Sequence, residues 1–340
     1  MKKIWVYILL VTTTLYACNF SSKPDDKKQE PSSYELDAHW PKLTERYTLG
    51  QPTGIGIDSK DHVFIFHRAG RKWTKQFPDS AISSNTIVEL ENETGRILNS
   101  WGAEQFIMPH GLNVDKKDNI WVTDVALHQV FKFSHEGHLL LQLGVPKVSG
   151  NDSLHFNLPT DVAVADDGSF YVSDGYGNSR MVKFTPTGKY ILQWGTHGNK
   201  PGEFDTPHAI TLDQSGHVFV ADRQNNRIQV FDSVGHFIKE IKNDEQVAQL
   251  PSLTFDWDQH LFAVDYDVSS DIDTIIKGST VLKFDSKDQV LFHFGSTGEK
   301  KRIPCWFHDI AIDRQGNIFV GDIIGMKVLK FKIKLPQSAH

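Results

Sequence analysis

The chain has 340 residues, 36 of them basic and 42 acidic, which gives a formal net charge of −6. An acidic average with no long Lys/Arg cluster excludes a nucleic-acid role, because binding phosphates needs a basic surface that displaces counterions. Its two cysteines, Cys18 and Cys305, exclude a disulfide-stapled scaffold.

At the N-terminus, Lys2 and Lys3 precede an apolar stretch, Ile4 to Ala17. It is shorter than the roughly 20 residues of a membrane-spanning helix and reads as an export signal. The stretch ends at Leu15-Tyr16-Ala17-Cys18, which resembles a bacterial lipoprotein cleavage box with Cys18 as the lipidated residue. Residues 1–17 are then the signal peptide and residues 18–39, rich in Lys, Asp, Ser and Pro, a flexible tether. The expected location is the bacterial cell envelope, with the mature chain anchored to the membrane by lipid. Removing residues 1–17 takes two lysines and leaves 34 basic against 42 acidic side chains, a net −8.

From residue 40 to about 335 the sequence repeats itself. Copies begin at Pro52-Thr53, Pro109-His110, Pro159-Thr160, Pro207-His208, Pro251-Ser252 and Phe307-His308, at intervals of 44–57 residues. The third copy shows the pattern best. An alternating run, Asp161–Ala165, meets a turn at Asp166-Asp167-Gly168, then a second run, Phe170–Ser173, ends at Asp174. Met181–Phe184, another turn, and Tyr190–Trp194 complete it. Period-2 alternation cut by Asp-Gly and Glu-Gly signals predicts short strands joined as hairpins. Four strands repeated six times predict an all-β, six-bladed β-propeller. The sixth copy has three strands, so closure by an N-terminal strand is expected. Arg46-Tyr47-Thr48-Leu49-Gly50 resembles the fourth-strand ends and is the candidate.

The chemistry is read from register. His110, His208 and His308 occupy the second position of copies two, four and six. In a six-bladed ring, one slot in alternate blades lies about 120° apart around the axis, next to the central channel. Three converging imidazoles with an open fourth position form the arrangement that catalytic zinc prefers. The other histidines in turns, such as His62, His135, His138, His217, His236 and His260, read as solvated turn residues. Each second strand ends on the face where the first begins, at His67, Asp124, Asp174, Asp222, Asp265 and Asp322. These side chains are expected to bond turn amides. Just beyond them, Arg68, Tyr176 and Arg223 project at the mouth that holds the three histidines. An anion clamp and a phenol beside a metal make a plausible active site.

At these residues the chain resembles the peptidyl-α-hydroxyglycine α-amidating lyase family. Pro109-His110-Gly111-Leu112, Trp121 to Val130, Pro159 to Val164, Asp174 to Arg180, Pro207-His208 and Ala221-Asp222-Arg223 carry the resemblance, which runs over residues 45–335. It implies zinc on His110, His208 and His308, a catalytic Tyr176, and active-site arginines Arg68 and Arg223. It also implies a structural calcium held by the main-chain carbonyls of Ile55 and Leu112 and the carboxylate of Asp309. The implied reaction releases a peptide amide and glyoxylate, with zinc as Lewis acid on the α-hydroxyl and Tyr176 as base. A peptide or small molecule bearing a carboxylate is the expected partner, and the chain is expected to act as a monomer. Gly177 and Val230 stand where the family has cysteines, and Trp306-Phe307 where it has Met and Pro. Two other readings fit the residues: a noncatalytic tethered scaffold whose structural metal takes Cys305 as fourth ligand, or another metal-dependent propeller enzyme such as a lactonase.

Overall fold

A computed structural model describes residues 34–44, 47–242, 249–266, 279–295 and 305–334. The proposed signal, tether and Cys18 lie outside the described residues except for the end of the tether segment. Six four-stranded antiparallel sheets are arranged as the blades of a ring. The innermost strands are Pro52–Ile57, Pro109–Val114, Asp161–Val164, Pro207–Leu212, Gln249–Phe255 and Phe307–Ile312. Each packs against the next, and the last packs against the first, which closes the ring. The repeats read from sequence are therefore the blades.

Alternation builds the core. In the second blade, Ile120, Val122, Phe131 and Phe133 meet Phe64, Phe66, Ile87 and Phe106 of the first. Equivalent apolar layers fill the other five seams. Burying one such aromatic or aliphatic side chain stabilises by about 1.5–3 kcal/mol. Second strands are buried on both faces, as in Phe170–Asp174, whereas fourth strands such as Tyr190–Trp194 alternate exposed and half-buried positions.

Closure uses an N-terminal strand, but a different one from the strand expected. Tyr34–Leu36 pairs antiparallel with Lys327–Ile333 as the outer strand of the sixth blade. The ring thus begins inside the segment expected to be tether. Tyr34 stacks on Phe294 of the fifth blade at 4.7 Å between ring centroids and packs against the seam between those two blades. Residues 47–50 form no strand, and Arg46 lies outside the described residues. Tyr47 and Leu49 are instead spent on the seam between the sixth and first blades, beside Trp40. Their apolar alternation serves packing there, which is why it mimicked a strand.

The asparates closing the second strands behave as expected. Asp124 accepts the amides of Ile107, Met108 and Leu127 at 2.7, 2.8 and 2.9 Å. Asp222 and Asp322 likewise take the amides of Asp205 and Trp306 at 2.7 and 3.0 Å. His67 replaces aspartate in the first blade and does the same work as a neutral acceptor. Its Nδ1 receives the Gly50 and Ala69 amides at 3.3 and 3.1 Å. Nε2 therefore carries the proton and donates to the Tyr47 hydroxyl, 2.8 Å away.

Candidate active site

The three histidines meet at the channel mouth. Their ring centroids lie 4.7, 4.8 and 5.0 Å apart, and all three are buried. Each Nδ1 donates to a main-chain carbonyl of an odd-numbered blade. His110 reaches Thr160 O at 2.7 Å, His208 reaches Pro251 O at 2.6 Å, and His308 reaches Thr53 O at 2.9 Å. The carbonyls fix one tautomer and leave Nε2 as the lone-pair nitrogen of each ring, turned toward the channel axis, an arrangement that orients metal-binding imidazoles. Burial and the nearby guanidinium charges hold all three well on the neutral side, with His308 lowered to about 3. Neutral, preoriented nitrogens within 4.8 Å of one another are a fitting donor set for zinc.

Tyr176 arrives on the loop after the second strand of the third blade. Gly175 lets it do so: a Cβ there would lie 1.9 Å from the Pro207 carbonyl oxygen. The phenol oxygen then sits 3.0 Å from His110 Nε2 and 2.9 Å from His208 Nε2. Arg223, at the start of a short 3-10 turn (Arg223–Asn225), donates from Nη1 to that oxygen at 3.3 Å and lies over the Tyr176 ring at 5.3 Å. The Arg223 Nε is buried and has no hydrogen-bond partner.

Arg68 is 2% exposed and held by Pro109 O and the Gln51 side chain at 3.1 and 3.2 Å. Burial lowers its pKa to about 10, opposed by the Tyr176 and Asp124 charges. The structure therefore brings His110, His208, His308, Tyr176, Arg68 and Arg223 to one mouth. Sequence reasoning missed Trp73, which stacks 5.1 Å from both Arg68 and the Tyr176 ring. Its signal was the long connection between Val63–His67 and Ile87–Leu90 in the first blade. Trp306 stacks on Tyr266 at 4.2 Å.

Beneath the histidines the channel is lined by Thr53, Thr160, Ser252, Asp161 and Asp309. The Asp309 carboxylate accepts the Ile55 amide and the Ser252 hydroxyl, each at 2.6 Å. Burial raises it to about 7. Asp161, in the same repeat slot of the opposite blade, is raised well above its ordinary value by burial and by the Asp309 charge. Two half-buried carboxylates facing one channel suit a hard cation with oxygen ligands. Asp161 was absent from the expected set of Ile55, Leu112 and Asp309. Cys305 stands apart from the histidines in the seam between the fifth and sixth blades, where its Sγ accepts the Ser279 amide at 3.4 Å. Among the described residues the histidine cluster has no cysteine.

Two turn histidines differ from expectation. His217 and His260 are part-exposed and bond their own turn aspartates, Asp213 and Asp256, as solvated turn residues do. His62 and His135 instead converge with Asp58 and Glu89 across the seam of the first and second blades.

Comparison with known proteins agrees with this fold. A family described as a 6-bladed beta-propeller matches residues 147–275, and the NHL repeat matches residues 106–133. The chain is thus a six-bladed β-propeller with an NHL repeat in its second blade. Among curated proteins it is 38% identical over 315 residues to the peptidyl-glycine alpha-amidating monooxygenase B of Xenopus laevis, covering 87% of this chain and 35% of that protein. It is 33% identical over 341 residues to the peptidyl-alpha-hydroxyglycine alpha-amidating lyase 1 of Drosophila melanogaster, covering 88% and 60%. The chain spans about a third of the length of the monooxygenases it matches. A gluconolactonase from Xanthomonas campestris superposes with a TM-score of 0.58 at 14% identity, over 85% of this chain and 88% of that one. That likeness is one of fold.

Proposed function

We propose that the chain is a zinc-dependent lyase that cleaves peptidyl-α-hydroxyglycine to a peptide amide and glyoxylate. The observation that carries this reading is the phenol of Tyr176, within 3.0 Å of two preoriented imidazole Nε2 atoms and 3.3 Å from Arg223. A structural propeller has no use for a phenol, a guanidinium and three neutral histidines at one point. Similarity to proteins named as amidating lyases supports the same assignment.

His110, His208 and His308 would hold the zinc, which when bound supplies Lewis acidity to an alcohol oxygen. Tyr176 stands where it can take the proton of the substrate α-hydroxyl. As the carbonyl of glyoxylate forms, the carbon–nitrogen electron pair leaves with nitrogen, which takes up a proton to give the amide. Arg223, with a free Nε, and Arg68 are placed to pair with the substrate carboxylate and hold it in register. Asp309, with the carbonyls of Ile55 and Leu112 and now Asp161, is our proposed calcium site, a support for the ring below the reaction.

The test is glyoxylate release from a short α-hydroxyglycine peptide by zinc-loaded protein. Release above the uncatalysed background is expected, and its absence sinks the lyase reading for that substrate. We further propose that Cys18 anchors the chain to the bacterial envelope. Wild type should partition with membranes and incorporate a fatty-acid analogue, while Cys18→Ser should do neither. An unlabelled wild type refutes the anchor.

A further inference from the structure

We propose that the chain carries a second transition-metal site, of the zinc class, which fastens the first blade to the second on the face opposite the histidine mouth. Its ligands would be Asp58, His62, Glu89 and His135. One donor atom from each lies within 4.8 Å of the others. Asp58 follows the innermost strand Pro52–Ile57, whose other end adjoins the channel mouth, so the two sites occupy opposite faces.

The repeat itself shows that this cluster is an exception. The residue paired with the buried aromatic of the second strand is lysine in four blades: Lys132, Lys183, Lys283 and Lys330. Each lies over that aromatic, at 4.8 to 5.5 Å from the ring centroid. Two of these ammonium groups also reach into the next blade. Lys183 Nζ bonds Ser233 O at 2.8 Å, and Lys330 Nζ bonds Asn92 O at 2.7 Å. In the first blade the paired residue is Glu89, opposite Phe64. At the turn position corresponding to Ser233 and Asn92, the second blade places His135. Both halves of this seam are therefore changed together, from a cation and an oxygen to a carboxylate and an imidazole.

The turn histidine follows the same change. In the fourth and fifth blades, Nδ1 bonds the aspartate of its own turn at 2.8 and 2.9 Å. His62 Nδ1 lies nearer Glu89, at 2.8 Å, than Asp58, at 3.3 Å. His135 Nε2 approaches the same two carboxylates from the other blade, at 2.9 Å from Asp58 and 3.7 Å from Glu89. The carboxylates are almost fully shielded, with side-chain exposures of 0% and 7%. Each imidazole nitrogen hydrogen-bonds a buried carboxylate, and a divalent cation taking the place of the shared protons would compensate both carboxylates at once. Two nitrogen and two oxygen donors select zinc or a neighbouring divalent transition metal over calcium or magnesium. The imidazoles are each about a quarter exposed, which leaves an entry path.

The test restores the pattern of the other seams. The double variant Glu89→Lys/His135→Ser puts a lysine over Phe64 and a serine in the turn, both of which the repeat already tolerates. Wild type and variant are dialysed against Zn²⁺ and their bound metal is counted. The variant should hold one equivalent fewer and keep its glyoxylate-releasing activity, and the rise in melting temperature on zinc addition should shrink. Equal metal content in the two proteins overturns the site. Because the result is a difference between proteins that share the three channel histidines, it is independent of whether the mouth is a lyase. Should the double variant aggregate, His135→Gln alone gives the same reading, and undiminished zinc in it again overturns the proposal. Cobalt substitution adds a signature: wild type should show a visible absorption component that the variant lacks.

Discussion

At the residue scale, the site depends on what holds each imidazole from behind. Three carbonyls of odd-numbered blades fix three histidines of even-numbered ones, so the ring geometry and the metal geometry are one construction. The role of Tyr176 is separable from this. Tyr176→Phe keeps the ring that packs beside Trp73 and Arg223 and removes only the hydroxyl. Turnover should fall on the order of 10²–10⁴-fold, the usual contribution of general acid–base catalysis, while zinc content stays at the wild-type level. Turnover equal to wild type would leave the lyase standing and remove Tyr176 as its base. The histidines were legible in sequence because one repeat slot carried them in alternate copies. Asp161 shares the slot of Asp309 in the opposite blade and was readable by the same logic. Trp73 was not, because it sits on a connection outside the repeat.

At the scale of elements, the segment 47–50 shows how a local pattern can mislead. Its alternation suits a strand, yet Tyr47 and Leu49 bury themselves in a seam and the backbone is pinned by His67 rather than by a ladder. Propensity sees only the alternation, whereas the competing strand Tyr34–Leu36 is only three residues long and lay within a polar stretch. The pinning has a consequence with pH. His67 is neutral in the fold, its pKa lowered by burial to about 4 from 6.5. The unfolded chain takes up a proton below about 6.5 and the folded chain resists it. The stabilisation is therefore complete above that pH and is lost as the pH falls from 6.5 through about 4. At about 1.4 kcal/mol per pKa unit the loss is on the order of 3–4 kcal/mol. Urea unfolding across this range should show a steeper decline for wild type than for His67→Gln. The channel histidines titrate in both proteins and cancel in the comparison. Parallel pH profiles would remove His67 as the cause.

On the scale of the whole molecule, the six-fold repeat made the architecture readable, since self-similar four-strand units have one economical closed arrangement. How the ring shuts was less legible, because closure rests on a few residues far from any repeat. Tyr34–Leu36 shields the seven-residue strand Lys327–Ile333. It is reinforced by Asp37, whose amide bonds Lys330 O at 2.8 Å and whose carboxylate pairs with Lys332 at 2.7 Å. Chain entry at the outer edge of the sixth blade also means that pulling on the proposed anchor would load this strand first. Deleting residues 1–38 should therefore destabilise the ring while leaving every residue of the channel mouth in the chain. Loss of the Tyr34 stack and of the strand pairing should cost about 2–3 kcal/mol. The uncovered edge should promote association on warming. Thermal unfolding with light scattering, compared with a deletion of residues 1–32, separates the closing strand from the residues that precede it. If both truncations melt and scatter alike, Tyr34–Leu36 contributes nothing to closure and the ring is held by its inner strands alone.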